Sequence, residues 1–350
     1  MDTEWICFDA VTGYDKGELN HAAQILRQGG LVAFPTETVY GLGGDGFNPQ
    51  AAKKIYEAKG RPSDNPLILH ISKREELDAI AARIPETAEK LMDAFWPGPM
   101  TLIFEKTKAV PYETTGGLDT VAVRMPSHEG ARQLIESAGV PVAAPSANTS
   151  GRPSPTTAEH VKEDLWGRID MIIDGGLVGI GVESTIIDVT EETPTILRPG
   201  HITKNMIAKV IGTVQMDAGL SGLDQSVKPK APGMKYRHYA PKASMTVIQG
   251  KKKAVIRRIE ELAAEYPKEK VGILATDETL SCYTHGQVVS AGSRNEHTIE
   301  QGLYRALREF DHMGVSVIFS ESFADDDRSE AIMNRLLKAA GQKIEYLSDK

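Results

Sequence analysis

Short apolar runs alternate with stretches of helical period along most of this chain. The runs 31–35 (LVAFP), 67–71 (LILHI), 101–105 (TLIFE), 121–125 (VAVRM), 140–145 (VPVAAP), 171–174 (MIID), 185–189 (TIIDV) and 195–199 (TILRP) read as buried strands. Helical patterns fall between them, near 17–28, 49–58, 73–82, 86–95, 128–138 and 157–165. Gly29-Gly30 should stop the first helix, and Asn48-Pro49 should cap and start the second. So many strands with few long connections predict an α/β domain on a mixed sheet, ending near residue 211. From 212 to 243 no period is sustained, and four glycines and three prolines interrupt the stretch. A segment of this kind is a linker or is functional. Alternation then returns: strands at 245–249, 271–276, 287–291 and 315–322, with helices at 251–265, 297–312 and 328–340. That order predicts a second, smaller, Rossmann-like unit with a parallel sheet.

Composition narrows the class. The 350 residues suggest two domains, and 41% hydrophobic with 25% charged residues is ordinary for a soluble globular protein. A net charge of −8 argues against a surface coated in cation for nucleic acid, although a local basic groove is compatible with it. The start, MDTEWICFDAV, has no basic n-region, and no run approaches a membrane span, so a cytoplasmic location is expected. Cys7 and Cys282 form no CxxC pair and are expected to be reduced core thiols.

Several motifs fail on context. Gly41, Gly43 and Gly46 satisfy GxGxxG formally, but TETVY separates them from the preceding strand, and the next helix starts only near 49. There is no Walker loop, no GxSxG elbow and no HExxH, and the nine histidines lack ligand spacing.

Three stretches combine glycine, proline and polar groups beyond strand ends, where open α/β sheets bind ligands. The first is FPTETVYGLGGDG (34–46), with Thr36, Glu37, Thr38 and Tyr40 followed by flexible glycines. An ordinary strand-to-helix turn would also account for it. The second is YEAKGRPSDNPLILHI (56–71). Its Lys59 and Arg61 can grip a polyphosphate, and equally fit a solvated basic turn at a helix C-terminus. The third is APSANTSGRPSPT (144–156), whose hydroxyls and Arg152 suit phosphate or ribose, with a plain surface loop as the alternative. Arg124 and Arg198, near strand ends, would need anionic partners if buried.

The ordered set PTETVYGLG, KGRP…NPL…H, VAVRMP, PSAN.SG.PSPT, STIID and LRPG resembles the threonylcarbamoyl-AMP synthase family, the YrdC-like domain, over about 15–210. Residues 212–350 resemble the long form's linker and Rossmann-like domain, and APGMKYRHYAP (231–241) resembles its linker motif. The resemblance implies domains at 1–211 and 244–350. It also implies a nucleotidyltransferase that joins L-threonine, bicarbonate and ATP into threonylcarbamoyl-AMP and pyrophosphate, for a modified base next to the tRNA anticodon. Magnesium is expected on the ATP phosphates, with no direct carboxylate ligand and no protein metal ligand assigned. The resemblance leaves tRNA and the downstream threonylcarbamoyl transferase complex as further partners, and no membrane.

By the same resemblance, Lys59 and Arg61 are the catalytic pair. Arg61, Asn65, Thr120, Ser146, Ser154 and Arg198 line the ATP side. Thr38, His70, Arg124, the Ala144 backbone and Ser184 meet L-threonine. We read 212–243 as a linker that also serves as a lid, with Tyr236 or Tyr239 on the nucleotide and Arg237 and His238 meeting phosphate or the sheet edge. Two other classes compete. The basic run Lys228, Lys230, Lys235, Arg237 and Lys242 would suit an RNA-binding module. Carbamoyl transfer of the hydrogenase-maturation type uses a similar domain, but the zinc-finger and acylphosphatase-like segments it carries are missing here.

Overall fold

The structure, a computed structural model, describes residues 2–9, 13–221, 238–295, 298–324 and 329–348. Its contacts divide it into two compact units. The first holds Met1–Ser150, Pro155–Gly179 and Glu183–Tyr236; the second holds Gly151–Ser154, Ile180–Val182 and Arg237–Lys350.

The first unit is an eleven-stranded mixed sheet. Its strands are β1 (Glu4–Cys7), β2 (Val32–Phe34), β3 (Gly41–Asp45), β4 (Ile68–His70), β5 (Met100–Glu105), β6 (Thr120–Arg124), β7 (Val142–Ala143), β8 (Met171–Asp174), β9 (Thr185–Asp188), β10 (Thr195–Arg198) and β11 (Gln215–Met216). They lie in the order β1-β8-β2-β3-β7-β4-β6-β5-β9-β10-β11. Parallel pairs (β4 with β6, β5 with β9) sit beside antiparallel ones (β5 with β6, β9 with β10), as the pattern predicted.

Side chains alternate across β4, β6, β5 and β9. Leu69, Val123, Leu102 and Ile187 face the large core, together with Ile55 and Leu91 of the helices Pro49–Lys59 and Glu86–Phe95. Ile68, Ala122, Ile103 and Ile186 face the other way and join Leu197 in a small cluster built of strand residues alone. Farther along the sheet the helices Lys16–Arg27 and Glu129–Ala138 pack on Val32, Phe34 and Val142.

Local chemistry explains the helix ends. Asp15 caps Lys16–Arg27, and Gln28-Gly29 end it, with Gly29 at φ 75°. The Asn48 side chain accepts from the Gln50 N–H, with Pro49 at the first helical position.

Three sequence expectations are corrected. Gly41–Asp45 is a buried strand, not a flexible loop. A Cβ on Gly43 would come within 2.8 Å of Val142 and 2.9 Å of Phe34, so side chains of neighbouring strands fill the space that the glycine leaves. Gln215–Met216 adds a strand parallel to β10 within a stretch read as patternless. Cys7 and Cys282 are exposed rather than core thiols: Cys7 ends the edge strand β1, and Cys282 lies in a short 3-10 turn (Leu280–Cys282) with no buried residue.

The second unit carries a five-stranded, wholly parallel sheet: β12 (Ser244–Gln249), β13 (Val271–Ala275), β14 (Gln287–Ser290), β15 (Val317–Glu321) and β16 (Ile344–Tyr346), ordered β14-β13-β15-β12-β16. Helices Lys252–Ala263, Ile299–Met313 and Ser329–Ala339 connect its strands. Arg308 is fully buried and donates to the Pro153 carbonyl at 2.7 Å. Among the described residues no helix is long and apolar enough to cross a membrane.

Candidate active site

Strand register assembles the site. His70 pairs with Arg124, Arg124 with Thr101, Thr101 with Ile186, and Ile186 with Arg198. Directly paired residues point to the same side of a sheet, so these five form one row across five strands on the face opposite the large core. Arg198 reaches that face through an irregularity. Ile196 faces the core, and regular alternation would send Arg198 there too. The register shift between Ile196 and Arg198 turns the guanidinium onto the side of Ile186.

Arg124 is 4% exposed. It donates to the Thr38 hydroxyl at 2.9 Å and to the Gly98 carbonyl at 3.3 Å, and lies 2.8 Å from the Glu37 carboxylate. Burial by itself would raise the Glu37 carboxyl; the Arg124 guanidinium outweighs it and holds Glu37 below the usual carboxylate range. Thr38 and Thr36 hydroxyls are 2.9 Å apart, and Thr36 donates to the Val39 carbonyl, which fixes the loop. His70 is buried, with Nδ1 3.2 Å from the Ile68 carbonyl and its ring edge-on to Phe34. Burial, reinforced by Arg124, pushes its pKa down to about 3, so the ring is neutral at physiological pH. A base that weak does not deprotonate an ammonium group, which leaves His70 as a neutral wall of the site.

At the other end of the row the Ser184 hydroxyl is 2.7 Å from that of Thr101 and accepts from Arg198 at 3.1 Å; Arg198 also donates twice to the Ser184 carbonyl. Thr120 lies on the same face as Arg124, at the start of β6.

The basic pair sits where helix Pro49–Lys59 ends. Gly60, at φ 60°, closes the helix and turns the chain outward. Lys59 is 3% exposed and its ammonium donates to the Ser146 and Asn148 carbonyls, while the Ser150 N–H returns to the Lys59 carbonyl at 2.8 Å. Lys59 thus staples the 144–150 loop to the helix. That loop is also zipped to β3 by Leu42 N–H to Pro145 O and Ala147 N–H to Tyr40 O, both 2.8 Å. Ala144, buried, donates its N–H to Ile68 at 2.8 Å. Ser146 donates to the Asn148 side chain at 2.6 Å. Arg61 folds over the Asn65 and Pro66 carbonyls. Asn65 is buried, and its side-chain oxygen has no partner among the described residues.

Residues 24–200 match the family described as Telomere recombination, and 202–341 match the family described as Threonylcarbamoyl-AMP synthase, C-terminal domain. The threonylcarbamoyl-AMP synthase of Pyrococcus abyssi is 50% identical over 332 residues, 94% of this chain and 96% of that protein. The one of Bacillus subtilis is 51% identical over 331 residues, 93% and 94% of the two chains. The chain belongs to the threonylcarbamoyl-AMP synthase family. A crystal structure of P. abyssi Sua5 complexed with L-threonine superposes with a TM-score of 0.93 at 48% identity, covering 99% of this chain and 100% of that one.

Within this family member, the first unit brings together Thr38, His70, Arg124 and Ser184 with Arg198 along the row, and Lys59, Arg61, Asn65, Ala144 and Ser146 around the loop. Ser154 is fully buried and belongs to the stretch counted with the second unit. Tyr239 also lies in the second unit, buried, at φ 65°, stacked on Tyr304 at 5.3 Å with the Arg335 guanidinium 5.7 Å from its ring. Tyr236, Arg237 and most of the 231–241 motif lie outside the described residues. Thr101 and the pairing of Glu37 with Arg124 were not assigned from sequence. Thr101 could have been found as the polar residue inside an apolar run that ends at Glu105; nothing local announced Glu37's partner.

Proposed function

We propose that this chain is a threonylcarbamoyl-AMP synthase, converting L-threonine, bicarbonate and ATP to threonylcarbamoyl-AMP and pyrophosphate. The observation that carries the reading is the buried row with Arg124 at its centre, a guanidinium on a sheet face with a hydroxyl and a carboxylate already beside it. Threonine's carboxylate is the natural anion for Arg124, and its hydroxyl a partner for Thr38 or Ser184. Hydrogen bonding to a substrate hydroxyl discriminates strongly against analogues that lack it.

The chemistry requires the neutral amine to form a C–N bond to the bicarbonate carbon while a C–O bond breaks and water leaves with the amine's proton, giving a carbamate. A carbamate oxygen then attacks the α-phosphorus as the bond to the β-phosphate oxygen breaks and pyrophosphate leaves. No protein nucleophile takes part, and catalysis is positioning and charge neutralisation. Arg61 and Lys59 neutralise the phosphates; Asn65, whose buried oxygen has no partner among the described residues, Thr120, Ser146 and Arg198 hold the nucleotide. Magnesium is proposed to arrive on the ATP as part of the substrate.

Nucleotide contacts from Ser154 and from Tyr236 or Tyr239, and a lid at 212–243 between domains 1–211 and 244–350, belong to the same proposal. Replacing 233–239 with Gly/Ser tests them through turnover and intermediate lifetime. The product would feed tRNA modification in the cytoplasm, with tRNA and a downstream transferase complex as partners.

Purified chain given ATP, bicarbonate and single amino acids should release pyrophosphate with threonine and accumulate a carbamoyl adenylate. Pyrophosphate release indifferent to threonine rejects the reading.

A further inference from the structure

The second unit contains a cleft of about 740 Å³ that the chemistry above does not use. It lies at the carboxyl ends of β12, β13, β15 and β16: its lining includes Gln249–Lys252, Thr276, Glu278, Thr279, Glu321–Ser322 and Tyr346. The topology makes a crevice there. β13 and β15 are neighbours, yet the chain leaves β13 toward β14 at one edge and leaves β15 toward β16 at the other. With right-handed crossovers, connections that diverge from adjacent parallel strands pass to opposite faces and open a gap between them, the place where such sheets bind ligands.

The lining is chemically sorted. Glu278 accepts from the Ser293 hydroxyl at 2.6 Å and from the N–H groups of Arg294 and Asn295 at 3.2 Å. Glu321 accepts from the Tyr283 hydroxyl at 2.8 Å, and Arg294 lies 3.4 Å away. Both carboxylates are therefore committed within the wall. Lys251, Lys252 and Arg294 against these two acids leave the lining one unit positive in a chain of net −8. The β12 turn that carries the lysines opens the twelve-residue helix Lys252–Ala263, which has no side-chain cap. Tyr346 pairs with Gln249 in register and is 70% exposed, so an aromatic ring stands on the neighbouring strand, beside the cationic turn. The volume is far larger than a phosphate ion needs and falls within the usual range for small-molecule sites.

We propose that this cleft is a second ligand site, independent of the synthase chemistry, that takes a mononucleotide: phosphate on the Gly250–Lys252 turn, base against Tyr346, and sugar toward the buried hydroxyls of Thr276 and Thr279. Hydrogen–deuterium exchange on the full chain tests it, because each segment reports on its own site. AMP or ADP at ten times its dissociation constant should slow exchange in 249–255 and 344–347 by about tenfold. Lys252→Glu and Tyr346→Ala, both at exposed positions, should each abolish most of that protection and leave threonine-dependent pyrophosphate release unchanged. Three results overturn the proposal. Exchange in 249–255 could stay unchanged at nucleotide concentrations that protect segments of the first unit. Protection could survive Lys252→Glu. Inorganic phosphate could protect as well as AMP with Tyr346→Ala indifferent, which would leave an anion site that does not recognise a nucleotide.

Discussion

The two sheets of this protein offer their surroundings different things. The second is all parallel, with hydrophobic strands and crossover helices, so its faces are occupied and its polar groups gather at the strand ends. The first is mixed, and along β4, β6, β5, β9 and β10 one face carries a thin apolar cluster and a row of polar side chains. An edge site is made by loops and can be revised loop by loop. A face site is made by register, so every member depends on how its neighbouring strand is paired.

That difference can be tested, beginning with the largest effect. Arg124→Ala removes the centre of the row and strands Glu37, a buried carboxylate. Threonine-dependent pyrophosphate release should fall about a thousandfold. Denaturant unfolding should show a loss of about 3–5 kcal/mol. Adding Glu37→Gln should restore much of the stability and none of the activity. Recovery of activity in the double variant would mean that Arg124 serves only to neutralise Glu37.

Lys59→Ala and Arg61→Ala remove loop-borne charge and should each lower turnover about a hundredfold. Lys59→Ala should also free the 144–150 loop, visible as faster amide exchange there, whereas Arg61→Ala should leave that exchange alone. Equal loosening by both would erase the distinction drawn between staple and clamp.

His70 gives a pH signature. Its folded pKa, about 3, lies below the unfolded value of about 6.5, so the unfolded chain binds the proton more readily. The group therefore lowers stability as pH falls from 6.5, by about 1.4 kcal/mol per unit, until the folded pKa is reached; above 6.5 it has no effect. Glu37, also depressed, acts in the same direction at lower pH. Urea midpoints between pH 6.5 and 5 should fall in the parent protein and fall less in His70→Phe. Parallel curves would place the proton elsewhere.

The smallest effect is expected from Thr101→Val, which keeps the shape and loses the bond to Ser184, costing about 1 kcal/mol and a few-fold in the KM for threonine. A loss as large as that of Arg124→Ala would mean that the row acts as one unit rather than as separate contacts.

What the sequence made legible follows the same division. Local signals were read well: the Asn48-Pro49 start, the strands around Leu102 and Val123, and the basic residues at the helix end. The glycine strand was not, because its reason lies in the side chains of Phe34 and Val142 across the ladder. Nor was the facing of Arg198, which depends on a register shift that no local pattern encodes. Arg124 and Arg198 were expected to need partners, but which groups they meet is a matter of pairing between strands far apart in the chain. Resemblance to a family carried the residue roles past that point; periodicity alone would have stopped at two α/β units with polar strand exits.

The Glu37–Arg124 pair has a consequence for the proton inventory of binding. With the pair closed, the centre of the row is electrically neutral and already has its own counter-ion. A carboxylate that takes Arg124 from Glu37 leaves a second carboxylate in a buried place, and such a group regains its charge balance most readily by picking up a proton from solution. Occupation of the row by an amino acid would then be accompanied by proton uptake. The heat of binding would vary with the ionisation enthalpy of the buffer, and the dependence would vanish in Glu37→Gln.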